Sequence, residues 1–229
     1  MTSRISGISS MATRQVLAEL RAAFEQRFGV ELAIESVGGV DAARRVQAGE
    51  AFDVVVLASN AIDALVASGR VSAASKVDLF RSGVAVAVRA GAPRPDIGSE
   101  EALRQTVQSA RSIGYSTGPS GVALAQLFER WGIATEIRDR TVQAPPGVPV
   151  GALVARGEVE LGFQQHSELM HLDGISVIGP LPPAIQIITT FAAGVCASSL
   201  QAEAVRRMLG FMTSAPAAEA IRRHGMEPA

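Results

Sequence analysis

The run Asp53-Val54-Val55-Val56-Leu57-Ala58 carries no polar side chain after its first position. A strand with one face in water alternates apolar and polar residues. A strand covered on both faces can be apolar throughout, as in a parallel sheet sandwiched between helices. The flanking segments fit that sheet. Arg4 to Ile8 and Val30 to Val37 read as strands. Between them, Ala12 to Phe28 repeats apolar residues at helical spacing through Val16, Leu17, Leu20, Ala23 and Phe24. Gly29 stops this helix, and Gly38-Gly39-Val40-Asp41 turns into a second one over Ala42 to Ala48. Ser59 or Asn60 caps a third, Ala61 to Ser68, closed by Gly69. This opening βαβαβα order predicts a parallel sheet with right-handed crossovers.

The rhythm then changes. Val77 to Ala90 holds a long extended run, Gly83-Val84-Ala85-Val86-Ala87-Val88, and Gly91-Ala92-Pro93-Arg94-Pro95 breaks the composition. Ser99 caps a helix from Glu100 to Gln108. Ser112 to Tyr115 reads as a strand, Val122 to Trp131 as a helix, and Gln143 to Val150 as a Pro- and Gly-rich connection. A short helix over Gly151 to Arg156 and strands over Val159 to Gln164 and Ile175 to Ile178 follow. Ile185 to Ala197 is a second long strand, with helices over Gln201 to Met212 and Ala215 to His224. The expected fold is α/β with two lobes, residues 1–83 plus 190–229 and residues 84–189, each a parallel or mixed sheet with helices on both faces. Two long strands joining two lobes make a hinge, and helix N-termini facing the cleft make a ligand trap.

Composition narrows the function. The chain has 229 residues, 48% of them apolar, enough for a full core. Aromatics are 4% and the net charge is −1, with 21 basic and 22 acidic residues intermixed, which argues against a nucleic-acid partner. Cys196, the one cysteine, excludes an internal disulfide and a multi-cysteine metal site. No apolar run is long enough for a transmembrane helix, so no membrane insertion is expected. Nothing before Ile5 resembles an export leader. The chain as it stands is expected to be cytoplasmic, or periplasmic if a leader has been removed.

The chemistry is expected at strand-to-helix turns. Tyr115-Ser116-Thr117-Gly118-Pro119-Ser120-Gly121-Val122 joins a strand to a helix through hydroxyls, glycines and a proline suited to a first helical turn. Free N–H groups at such a helix start attract anions. Ser9, Ser10 and Thr13 open the first helix in the same way, and Gly39 and Val40 open the second with amides but no hydroxyl. Thr117 and Ser120 are the donors of the central turn. Gln164 and Gln165 end a strand, and paired amides suit carboxylate or carbonyl groups. His166 and Glu168, just beyond, are the candidate acid–base residues. His166 and His171 lie five apart rather than the four of a helical metal pair, so no metal and no cofactor are expected. P-loop, dinucleotide and nucleophile-elbow motifs are missing from the sequence.

These segments together resemble the molybdate-binding branch of the type II periplasmic solute-binding proteins. The resemblance runs from about Ile5 to Glu227. It is carried by Ser9-Ser10-Met11, Ala43-Arg44-Arg45-Val46, Gly49-Glu50-Ala51-Phe52-Asp53-Val54, Gly118-Pro119-Ser120-Gly121 and Gly162-Phe163-Gln164-Gln165-His166-Ser167-Glu168. It implies a two-lobed fold in which hydroxyls and main-chain amides hold an oxyanion between the lobes without salt bridges. Ser10 (or Ser9) matches the first serine ligand, and Ser120 an amide donor. The second serine ligand falls on Val40, an amide-donating valine on Pro149, and a tyrosine donor on Gln165.

Each lost hydrogen bond to a buried charged group costs roughly 1.5–3 kcal/mol. The expected ligand is therefore a small organic di- or tricarboxylate rather than molybdate, trapped in the inter-lobe cleft by a solute-binding protein. An ABC permease would be its partner if the chain is exported. A molybdate- or tungstate-binding transport component is a further alternative. The resemblance also extends to aconitate isomerases, which implies the other alternative: a cytoplasmic isomerase of a small unsaturated carboxylate, with His166 or Glu168 as base.

Overall fold

The computed structural model describes residues 4–229; residues 1–3, the start of the leaderless reading, lie outside the described part. The chain opens with β1 (Arg4–Ser10), a 3-10 turn (Met11–Thr13) and α1 (Arg14–Phe28). β2 (Glu31–Val37), α2 (Gly39–Gln47), β3 (Val54–Ala58) and α3 (Ser59–Ala67) follow, then the long β4 (Val77–Arg89). The middle of the chain holds α4 (Glu100–Ser109), β5 (Ile113–Tyr115), α5 (Pro119–Arg130), α6 (Ala134–Ile137), β6 (Thr141–Gln143), α7 (Val150–Ala155), β7 (Leu161–Gln165), α8 (His166–Leu169) and β8 (Ile175–Pro180). The chain ends with β9 (Ile188–Val195), α9 (Ala202–Met212), α10 (Ala215–Arg223) and β10 (Glu227–Pro228). The residues form two compact units. Unit one runs through Ser82 and resumes over Thr189–Ala229; unit two is Gly83–Ile188. Each crossing lies one residue before the boundary drawn from the sequence.

In unit one, β1 pairs in parallel with β2 and with β3, which gives the order β2-β1-β3, and β9 runs antiparallel to β3. β4 lies beside β9, with β10 antiparallel on β4. The unbroken apolar run is explained by its neighbours. Val54 and Val56 pack with Leu17, Leu20 and Phe24 of α1 and with Met208 of α9. Val55 and Leu57 pack with Ala42 and Val46 of α2 and Ile62 of α3. Both faces of β3 from Val54 to Leu57 therefore meet a helix layer, as in a doubly wound sheet. Gly29 ends α1 at φ 65°, a left-handed conformation that a side chain would oppose.

In unit two, the Gly83–Arg89 half of β4 pairs antiparallel with both β7 and β8, while β5 pairs in parallel with β7 and β6. Val84, Val86 and Val88 pack with Leu103 of α4 and Leu124 and Phe128 of α5. Ala85 and Ala87 face the other way, toward Leu169 of α8. Val150 and Val154 of α7 close that second layer with Val159.

Several boundaries differ from expectation. α2 begins at Gly39, inside the stretch read as a turn, and α5 begins at Pro119, ahead of Val122. Ser59 does not cap α3 but is its first residue, and its hydroxyl meets Asp78 Oδ1 at 3.3 Å. The second long strand is shorter than expected, because Pro183–Ile185 forms a 3-10 turn before β9. β6, α6 and β10 have no counterpart in the sequence reading.

Candidate functional site

In a doubly wound sheet, ligands sit beyond the carboxyl ends of the parallel strands where strand order reverses. Unit one reverses at β1, which lies between β2 and β3. Ser10 ends β1 and pairs in register with Val37, the last residue of β2. Its Oγ accepts the Ala12 N–H at 3.3 Å, capping the 3-10 turn. A Cβ on Gly39 would lie 3.5 Å from the same Oγ, so Ser10 sits directly against the first turn of α2. No side chain caps α2, and the first N–H groups of a helix have no intrahelical acceptor. Val40, one residue on, is 60% exposed and brings an amide but no hydroxyl.

The two other hydroxyls of this turn face inward. Ser9 is fully buried and its Oγ lies 2.8 Å from Ser36 Oγ. Thr13 is also buried, and its hydroxyl donates to the Ser10 carbonyl at 2.9 Å. Both hold the turn in shape, which leaves Ser10 as the partly exposed hydroxyl of the three.

In unit two the carboxyl ends of β5, β6 and β7 come together, because Tyr115 aligns with both Gln143 and Phe163. Beyond β5, Ser116, Thr117 and Gly118 lead into α5, with Pro119 at its first position. Ser120 Oγ is 3.4 Å from Ser116 Oγ. Gly121 allows this turn to be tight: a Cβ there would lie 1.8 Å from the Ser116 carbonyl oxygen. Beyond β6, Pro149 precedes α7 in extended conformation and has no N–H to give.

Beyond β7 the glutamines divide. Strand alternation puts Gln165 on the same face as Phe163, whose ring centroid is 6.1 Å from that of Phe128 in α5. Gln164 faces the α7 and α8 side. Its Oε1 accepts the Gly151 N–H at 3.2 Å, and its Nε2 donates to Glu168 Oε2 at 2.7 Å. Burial pushes the Glu168 carboxyl up to about 7, with the Gln164 hydrogen bond opposing that rise. His166 opens α8, two residues before Glu168. The contact of Gln164 with Gly151 is the feature that sequence reasoning missed.

Among the described residues, no cluster of three or more His, Cys, Asp or Glu is arranged to hold a metal, and no helix is long and apolar enough to cross a membrane. Cys196 is buried, and burial together with Asp53 pushes its thiol up to about 12.

With this geometry in place, comparisons with known proteins assign the family. Residues 5–227 match the profile of the bacterial extracellular solute-binding proteins, and the chain belongs to that family. An aconitate isomerase from a Pseudomonas species is 40% identical over 227 residues, covering 96% of this chain and 86% of that protein. The periplasmic molybdate-binding protein of Azotobacter vinelandii superposes with a TM-score of 0.80 at 18% identity, over 97% of this chain and 98% of that one. A sulfate-binding protein of Mycobacterium tuberculosis gives 0.80 at 18% identity, over 99% and 87%. The fold is therefore that of the periplasmic binding proteins.

Proposed function

We propose that this member of the solute-binding family binds a small unsaturated polycarboxylate and moves its double bond, as an isomerase acting on aconitate. The observation that carries this reading is Glu168, a part-buried residue on α8 just beyond β7 whose carboxyl accepts from the Gln164 side-chain amide, in a chain 40% identical to an aconitate isomerase. A carboxyl near neutrality is the kind of group that exchanges a proton with carbon at working pH.

The chemistry balances without a cofactor. A base takes a proton from the methylene carbon next to a carboxylate. The freed electron pair spreads through the neighbouring double bond, and negative charge builds on carboxylate oxygens. The proton then returns to the other end of the allylic unit, which leaves the double bond moved. Donors aimed at that charge lower the barrier. The Ser120 amide in the first turn of α5 and the hydroxyls of Thr117 and Ser120 are the donors assigned to it, since Pro119 has no N–H and the Gly121 N–H already donates to the Gly118 carbonyl. His166 is the second candidate for proton transfer.

The family itself supports a second reading, in which the chain binds a di- or tricarboxylate and passes it unchanged to an ABC permease. Incubation with cis- or trans-aconitate in D2O separates the two. Isomerisation is expected, with deuterium in the product where the abstracted proton exchanges with solvent. Glu168→Gln is expected to lower turnover by about 10²–10⁴-fold while leaving binding nearly intact. Turnover lost with His166→Ala instead would move the base to the imidazole. Tight carboxylate binding without turnover would leave the second reading standing.

A further inference from the structure

We infer that Gln164 is a positioning residue, not a ligand contact: its buried amide bridges the first turn of α7 to the Glu168 carboxyl and fixes which carboxyl oxygen stays free for proton transfer. This rests on the reading of Glu168 as the base.

The orientation of the amide follows from its partners. Gly151 offers an N–H, which only the amide oxygen can accept. The NH2 group must therefore point at Glu168 and engage Oε2. Gly151 is the second residue of α7, where a backbone N–H has no intrahelical acceptor. Gln164 supplies that acceptor, so the side chain is tied at both ends, and it is only 3% exposed. Its backbone is fixed as well, by pairing with Ala85 of β4. With Oε2 occupied, Oε1 of Glu168 is the oxygen left to receive a proton from carbon.

The surroundings make this one hydrogen bond matter. β7 (Leu-Gly-Phe-Gln-Gln), α7 (Val-Gly-Ala-Leu-Val-Ala) and β8 (Ile-Ser-Val-Ile-Gly-Pro) contain no ionisable side chain. The unit-two half of β4 contains only Arg89, at its far end. His166 on α8, and His171 and Asp173 just after it, are the titratable groups that flank Glu168 along the chain. Burial raises the carboxyl and the Gln164 donor alone acts against it. An N–H donor favours the charged form of a carboxylate, so its loss favours the protonated form.

The test is the pH profile of kcat/KM for aconitate isomerisation in wild type, Gln164→Met and Gln164→Glu. Met keeps the length but removes the donor. Glu keeps an oxygen for the Gly151 N–H and sets a second carboxyl against Glu168, so it stays informative if the Met variant does not fold. In both, the acid limb is expected to move upward by about one pH unit, with KM at the optimum changed less than about threefold. An unmoved acid limb in an enzyme that Glu168→Gln inactivates would overturn the inference. So would a KM rising more than tenfold with kcat unchanged, since that marks a ligand contact. If wild type turns over no aconitate, the functional reading falls separately. The inference then stands or falls on direct 13C titration of the Glu168 carboxyl, which should shift upward in Gln164→Met.

Discussion

Gly121 lies against the carbonyl of Ser116 so closely that a Cβ on it would come within 1.8 Å of the oxygen. The obstacle is backbone, not a side chain that can swing away, so the turn itself must open to admit even a methyl group. Gly121→Ala is therefore expected to displace the first turn of α5 and cost about 1–3 kcal/mol of stability. Since Ser120 rides on the same turn, carboxylate affinity should fall too. Calorimetric unfolding and titration of the variant check both. Unchanged stability would mean that the turn is looser than its geometry implies.

Ser9 and Ser10 are adjacent in sequence but engaged differently. Ser9→Ala removes the part-buried bond to Ser36, for a loss of about 0.5–1.5 kcal/mol of stability. Ser10→Ala removes a cap, for about 0.5–2 kcal/mol, and also a donor at the carboxyl end of β1. Only the second is expected to weaken ligand binding at a temperature where both variants are folded. Thermal-shift series with di- and tricarboxylates would show the contrast, since a ligand at 100 times its Kd adds about 2.7 kcal/mol.

That contrast marks where the sequence stops being informative. The βαβ order of the first unit could be read because Val54 to Leu57 of β3 meet helix layers on both faces, and burial on both faces leaves an unbroken apolar run. β6 could not: Thr141–Gln143 is too short to show alternation and follows directly on a 3-10 turn. α2 starts earlier than expected because a glycine pair resembles a turn locally, while Ala42 N donating to Gly38 O already closes a helical ring. At the site, the sequence marks hydroxyls and amides at helix starts but not which are already spent. Whether Ser9 faces a ligand or Ser36 depends on pairing between β1 and β2, and the bond from Gly151 to Gln164 exists only once α7 packs over β7.

Molybdate is expected to bind poorly. A tetrahedral dianion held without salt bridges needs a donor for each oxygen, and at three positions where the family resemblance implies a donor this chain carries another group. Val40 has no hydroxyl, Pro149 at the start of α7 has no N–H, and Gln165 stands where the resemblance places a tyrosine. Isothermal titration should find molybdate weaker than a tricarboxylate by at least a hundredfold. Submicromolar molybdate affinity would restore the metallate-transport reading.

The Glu168 carboxyl also makes stability depend on pH, and the direction can be worked out. Its ordinary value is 4.5 and burial pushes it up to about 7, so the native state holds a proton that the unfolded state has released across that window. Stability falls wherever the native state binds more protons than the unfolded state. The contribution of this residue is therefore fully present below about pH 4.5 and is lost as pH rises through about 7. Above that the carboxylate is buried as an anion, at a cost of up to about 3 kcal/mol from the size of the shift. Glu168→Gln keeps the shape, offers an oxygen to the Gln164 amide and cannot ionise. The difference in unfolding free energy between variant and wild type should thus grow in the variant's favour from about pH 4.5 to 7, then level off. Urea titrations across that range measure it directly. A difference that stays flat would show that the carboxyl is not desolvated and would remove the main argument for Glu168 over His166 as the base.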